Sequence, residues 1–312
     1  MRKWIIIIFV LILAILTAAS FYFYHVAVQR SEKKFLNDNP DLATSTNNSL
    51  LDQGLLWMNR SAFETVSIIS KDGLKLEGYY LEAAVPTNQT VIIAHGYASK
   101  AKYMAAYAKF FYETLNYNVL MPDARGHGAS EGDYIGFGWP ERKDYLQWID
   151  YIIDRNGDDS TIALHGVSMG ASTVLMTSGE KLPKQVKAII ADCGYTSAKD
   201  VLTYQLKRMY QLPSFPILQS TSLLTKIRAG YSFEEASAIE QVKKNKLPIL
   251  FIHGDEDTFV PVEMVHELYE VTSAEKDLYL VPEAEHGNAY DKNPELYERK
   301  IAEFLTDYMP KN

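Results

Sequence analysis

One cysteine, Cys193, stands in 312 residues, so no disulfide can form within the chain. A cytosolic protein and a bacterial surface protein both tolerate that shortage, and the redox compartment stays open. Cys193 follows the apolar stretch 186–191 and reads as packed rather than reactive. Histidine is sparse as well. The seven present form neither H-E-x-x-H nor any Cys/His pairing, which argues against a structural or catalytic metal. Basic residues are in deficit: 31 Lys and Arg against 39 Asp and Glu give a formal net charge of −8 and a pI near 5.4. A nucleic-acid partner wants a basic stripe, so that class drops out. What the chain holds in plenty is apolar material, 47% of its residues, enough for the core of one large α/β domain.

The longest apolar run goes from Trp4 through Val28. About 20 residues cross the hydrocarbon of a bilayer, and Trp4 and the tyrosines lie toward the ends of the run, where aromatic belts form. A cleaved signal peptide, with Ala18 and Ser20 as the small residues around the cut, is the competing reading. The run continues past that point through Phe21 and Tyr24, which favours an uncleaved single-pass anchor in the cell membrane over residues 1–30. No cysteine stands just after it to serve lipoprotein processing. Arg2 and Lys3 on one flank nearly balance Arg30, Lys33 and Lys34 on the other. The very short N-terminal tail tips the orientation toward a globular domain outside the cytoplasm. Residues 31–60 read as a tether, turn-rich at 37–41 and 44–49, that ends in a short helix from Leu50.

Residues 61–312 alternate in pattern. Stretches 63–69 and 74–81 flank Lys71, Asp72 and Gly73, an Asp-Gly hairpin signal, so the sheet opens antiparallel. Strands then alternate with helical segments at 91–94, 119–121, 161–165, 186–191, 249–252 and 276–281, the pattern of a parallel sheet. Eight strands, mostly parallel, with flanking helices define an α/β fold whose ligands gather at the strands' carboxyl ends. Between the sixth and seventh strands the rhythm breaks. Residues 198 to about 232 read as a helical lid, apolar enough to suit an acyl group; a plain pair of crossover helices is the alternative.

Gly166-Val167-Ser168-Met169-Gly170 sits where the strand 161–165 turns at once into a helix. That is the setting of a nucleophile elbow: glycines let backbones pass closely at a tight corner, and the serine hydroxyl is pushed into the cleft. Such a serine needs a base and an orienting acid. Asp257 follows the seventh strand and His286 the eighth, which supplies both in the order Ser168, Asp257, His286. Two backbone N–H donors complete the site: Met169, directly after the nucleophile, and Tyr97, after His95 and Gly96 at the end of the third strand. The Tyr97 side chain is a candidate substrate contact as well. Asp192 and Asp255 are the rivals for the acid, Asp255 reading as a turn former. His95, His127 and His165 read as packed and hydrogen-bonded rather than reactive.

From about Ser61 onward these motifs resemble the α/β-hydrolase superfamily. The matching residues are His95-Gly96, Asp123-x-Arg125-Gly126-His127-Gly128-x-Ser130-x-Gly132, the Ser168 elbow, His253-Gly254-x-x-Asp257-x-x-Val260-Pro261 and His286-Gly287. The chain is most similar to membrane-anchored bacterial members related to serine aminopeptidase-like (S33-type) hydrolases and monoacylglycerol-lipase-type esterases. The resemblance implies the α/β-hydrolase fold with its lid, a structural role for the Asp123–Gly128 loop, and a catalytic domain outside the cytoplasm. It implies a serine hydrolase that cleaves a carboxylic ester, small or lipid-like, through an acyl-enzyme and without a cofactor. An aminopeptidase-type peptidase and an acyltransferase use the same triad and stay open; a non-catalytic binder is a further alternative.

Overall fold

The computed structural model describes residues 2–36 and 50–309. Helix α1 (Arg2–Phe23) runs into a π-helical turn, Tyr24–Val28, and α2 (Leu50–Met58) precedes the sheet. Strands β1 (Glu64–Ile69) and β2 (Lys75–Leu81) pair antiparallel around Gly73, whose φ of 92° the Asp-Gly turn requires. The chain continues through β3 (Gln89–Ala94), α3 (Ala105–Glu113), β4 (Asn118–Pro122), α4 (Glu141–Asn156), β5 (Thr161–Val167), α5 (Met169–Ser178) and β6 (Val186–Asp192). Helices α6 (Ala198–Tyr210), α7 (Ile217–Ala229) and α8 (Ala238–Val242) follow, then β7 (Ile249–Gly254), α9 (Glu263–Val271), β8 (Lys276–Val281), α10 (Ala289–Lys292) and α11 (Pro294–Tyr308).

The strands form one sheet in the order β1-β2-β4-β3-β5-β6-β7-β8, antiparallel at its first two pairings and parallel thereafter. The central strands are mostly apolar and buried along nearly their whole length because helices cover both faces. Helices α4, α5 and α9 pack on one face and α2, α3 and α11 on the other, each with its own core cluster. The segments leaving β3 and β5 therefore diverge to opposite faces. Their divergence opens a crevice at the carboxyl ends of those strands, where such sheets bind ligands.

The loop after β4 braces that end of the sheet. Arg125 is buried and makes two bonds of 2.7 Å to Asp144 and two, of 2.7 and 3.1 Å, to Asp72 of the hairpin. The Asp123 carboxylate accepts from the N–H groups of Ala101 and Ala129 at 2.7 and 2.8 Å. Charge and imidazole gather here for structure: His95 Nε2 accepts from Ala124 N at 3.0 Å, and His127 Nε2 from Ala98 N at 3.3 Å.

Two features lie nearer the body than the sequence suggests. Residues 24–36, divided there between anchor and tether, form a single segment hydrogen-bonded to the domain, with Tyr24, Val28 and Lys33 buried. The turn-rich stretch 37–49 lies outside the described residues, and α2 beyond it packs on α3. The segment between β6 and β7 is helical, as expected, and α6 and α7 cover the carboxyl end of the sheet beside Ser168.

Candidate active site

Ser168 occupies the corner between β5 and α5 with φ 57° and ψ −117°, a conformation that L-residues seldom adopt. Its neighbours explain how the corner is held. A Cβ on Gly166 would fall 2.2 Å from the Gly170 carbonyl oxygen, and one on Gly170 would fall 2.1 Å from that of Ala94. Any side chain at either position would push β5, α5 and β3 apart. The Ser168 N–H donates to the Asp192 carbonyl at 2.8 Å, which ties the corner to β6.

Three distant turns meet here. Ser168 Oγ lies 2.8 Å from His286 Nε2, and His286 Nδ1 lies 2.7 Å from Asp257 Oδ2. The other carboxylate oxygen, Oδ1, accepts from Phe259 N at 2.9 Å and Val260 N at 2.8 Å, so the acid is held at both ends. His253 shares its Nε2–H between the Val260 carbonyl at 2.9 Å and Asp257 Oδ2 at 3.2 Å. Burial works against the Asp257 charge, yet the two histidines outweigh it and hold the carboxyl well below the usual range. Phe259 covers His286, with ring centroids 5.0 Å apart. Helix α6 clamps this acid loop from outside: Gln205 donates to the Phe259 carbonyl at 2.7 Å and Tyr204 to that of Thr258 at 2.8 Å.

The two backbone donors expected from the sequence flank the serine. Met169 is the first residue of α5, where N–H groups have no partner inside the helix. Gly96 approaches so closely that a Cβ there would sit 3.4 Å from Ser168 Cβ, which brings the Gly96–Tyr97 peptide beside the hydroxyl. The Tyr97 ring stacks on Phe137 at 5.5 Å and its hydroxyl donates to the Ala27 carbonyl at 2.8 Å.

The rival acids lie elsewhere. Asp255 Oδ1 accepts from Glu283 N at 2.7 Å, a turn-forming role. Asp192 turns its carboxylate to the Tyr297 hydroxyl at 2.8 Å, and its Oδ1 has no hydrogen-bond partner among the described residues. Burial raises the Asp192 carboxyl to about 6 from an ordinary 3.8. The folded protein therefore keeps a proton here that the unfolded chain gives up. The resulting stabilisation is complete below about 3.8 and lost as pH rises through about 6. Asp192→Asn retains an acceptor for Tyr297 and cannot ionise. Its melting temperature should match that of the wild type near pH 4 and exceed it at neutral pH, with turnover within a few-fold. A variant less stable than the wild type at neutral pH would contradict this account of Asp192.

Cys193, Asp257 and His286 present ligand atoms within 4.8 Å of one another. His286 already spends both ring nitrogens on Ser168 and Asp257, and burial pushes the Cys193 thiol up, away from the thiolate a metal would take. This donor set does not fit a metal site.

The cavity in front of Ser168 is about 100 Å³ and has apolar walls. Lid residues Leu202, Leu206 and Met209 form one side, and Tyr97, Phe137 and Phe233 another. Sequence reasoning missed a third wall: Phe23, Val26, Ala27 and Phe35, from the end of the N-terminal apolar run and the segment after it. One signal pointed there. The run Trp4–Val28 is longer than the roughly 20 residues a bilayer needs, and the surplus must be covered by something else.

A sheet of this order, with a serine on the turn after β5, an acid after β7 and a histidine after β8, defines an α/β-hydrolase. The family model for the prolyl oligopeptidase family matches residues 102–312, and the chain belongs to that family. It is 34% identical over 248 residues to the YqkD protein of Bacillus subtilis, covering 80% of each chain. It is 26% identical over 250 residues to YfhR of Escherichia coli strain K12, covering 78% of this chain and 80% of that one. Among solved structures, the Pyrococcus furiosus esterase Pf2001 superposes with a TM-score of 0.65 at 25% identity, over 86% of this chain and 97% of that one. The superfamily suggested by the motifs and the family match agree; the match names neither of the two narrower branches.

Proposed function

We propose that the protein is a membrane-anchored serine esterase that uses Ser168 as nucleophile, His286 as base and Asp257 as the acid that orients it. The observation that carries the reading is the unbroken hydrogen-bonded chain from Ser168 through His286 to Asp257, opening on an apolar cavity. His286 Nε2 takes the serine proton as Oγ bonds to the ester carbonyl carbon and an electron pair moves onto the carbonyl oxygen. The N–H groups of Tyr97 and Met169 donate to that oxygen. Collapse of the intermediate breaks the bond to the alcohol oxygen, which leaves with the proton from His286. Water then repeats both steps and frees the acid.

The family's name raises a peptidase reading. A free substrate amine would want carboxylates in the cavity, and among the described residues no Asp or Glu lines it. Glu234 accepts from Ser222 at 2.7 Å, and Glu235 pairs with Lys226 at 2.8 Å. Asp200 of α6 accepts from the Thr196 and Ser197 hydroxyls at 2.8 and 2.6 Å, so these acids in and beside the lid have local partners. Nitrophenyl esters of graded chain length, run beside aminoacyl nitroanilides, test the choice. Ester turnover should rise with acyl length while the anilides are cleaved far more slowly; preference for the anilides would favour the peptidase. Helix α1 supplies the anchor, and the protein should stay with the membrane fraction through an alkaline carbonate wash. Release into the supernatant would remove the anchor from the account.

A further inference from the structure

The segment that leaves α1 is built into the domain. Ile135 N donates to the Val28 carbonyl at 2.7 Å and Arg30 N to that of Asp133 at 2.8 Å, flanking a bridge between Gln29 and Tyr134. The Arg30 guanidinium donates to the carbonyls of Ser130 and Gly128 at 2.7 and 2.8 Å. Lys33, buried, closes the turn by donating to the carbonyls of Val26 and Gln29 at 2.8 and 2.7 Å, and burial lowers its ammonium to about 8. The Tyr97 hydroxyl bonds the same turn at Ala27. This wall of the cavity is fixed by the loops that also frame the site.

With α1 as the proposed anchor, the wall also takes a depth in the bilayer. Trp4 to Phe23 is a helical stretch of about 30 Å, the thickness of bilayer hydrocarbon. The hydrocarbon then ends at Phe23, itself a cavity residue, with Tyr22 and Tyr24 at the level of an aromatic belt. Helix α7 lies along the last turns of α1, Ser220 Oγ standing 2.8 Å from Ser20 Oγ, and the Tyr210 ring meets Phe23 edge-on at 5.1 Å. The lid turns large apolar side chains outward beside that junction: Phe215 is 72% exposed, Leu223 63% and Ile227 75%. Leu223 and Ile227 share one face of α7 at i, i+4 spacing. A soluble cap has no use for such a face, whereas a cap resting on lipid does. Tyr210 and Ile217, on either side of the α6–α7 turn that carries Phe215, both line the cavity.

We propose that the substrate is a bilayer-resident acyl ester. Its chain passes from the membrane between the end of α1 and the α6–α7 turn, where the Phe23 and Tyr210 rings touch and must part. The chain then lies against Val26, Ala27 and Phe35, so the anchor is one wall of the substrate site. This rests on the esterase reading for the chemistry, on the anchor reading for the bilayer and on the cavity for the route. The test uses the full chain in phospholipid vesicles. Val26→Trp, and independently Ala27→Leu, fill the cavity from the anchor side and displace one or more methylenes. The ratio of kcat/KM for a C16 ester to that for a C4 ester should fall at least about tenfold in each folded variant. A chain-length profile unchanged in both variants would overturn the proposal. A second readout needs no turnover: the Ser168→Ala protein in vesicles containing phosphatidylcholine with a diazirine at the end of its acyl chain. Photolysis should place adducts on Leu206 or Met209 as well as on α1, and Val26→Trp should deplete the lid adducts. Adducts confined to α1 would overturn the lipid route. Absence of turnover at every chain length would remove the esterase reading alone, and the adducts would still decide whether acyl chains occupy the cavity.

Discussion

Ser168→Ala is expected to lower kcat on a nitrophenyl ester by a factor on the order of 10⁶, the loss found when a triad nucleophile is deleted, with a residue of catalysis left to the oxyanion donors. The size follows from how little else in the cavity can attack a carbonyl. Cys193 is buried with its thiol held protonated and does not line the cavity. Among the described residues, the lining groups other than Ser168 are hydrocarbon, thioether, phenol, amide or threonine hydroxyl. Removing one oxygen from a half-buried position should leave the fold intact, because the corner is held by Gly166, Gly170 and the bond to the Asp192 carbonyl. A variant that melts with the wild type and keeps more than a few per cent of its rate would mean that another group attacks.

Asp257→Asn should cost about 10⁴ in kcat, through the tautomer of His286 rather than through packing. The reason lies in the second oxygen. Oδ1 accepts from two backbone N–H groups, so the asparagine oxygen must occupy that site and its NH₂ must take the place of Oδ2. There it faces His286 Nδ1, which can then only accept, and the ring proton moves to Nε2. An imidazole protonated at Nε2 cannot take the proton of Ser168. The side chain is isosteric and its backbone bonds survive, but the NH₂ also faces the His253 Nε2–H, and the carboxylate charge held by the two histidines is lost. The variant should therefore fold with a lowered melting temperature, and the loss of rate is measured on folded protein. Comparable rates for Asp257→Asn and the wild type would pass the acid role to another residue.

Much of this site was legible in the chain because its parts are local patterns. A glycine pair with a serine between them needs only a strand on one side and a helix on the other, and both are written in the flanking residues. His286 and Asp257 stand directly after strands, so placing the strands placed the side chains at one end of the sheet. Their spatial meeting follows from strand order, which a parallel sheet with right-handed connections restricts to few choices. The wall from Phe23 to Phe35 was not legible. An apolar residue has the same signature whether lipid or protein covers it, and the hydrogen bonds that seat this segment come from residues about 70 to 110 positions away. The role of Lys33 was hidden for the same reason. Read as a flanking positive charge, it is buried and spends its donors on carbonyls of the turn before it.

The central claim is that the hydroxyl of Ser168 is made nucleophilic by the imidazole 2.8 Å away. A fluorophosphonate probe applied to the full-length protein in membranes measures that reactivity without any assumption about substrate. The account predicts one adduct, located by peptide mapping at Ser168 and lost in Ser168→Ala. An adduct that persists in Ser168→Ala, or a folded wild type that takes none, would contradict it.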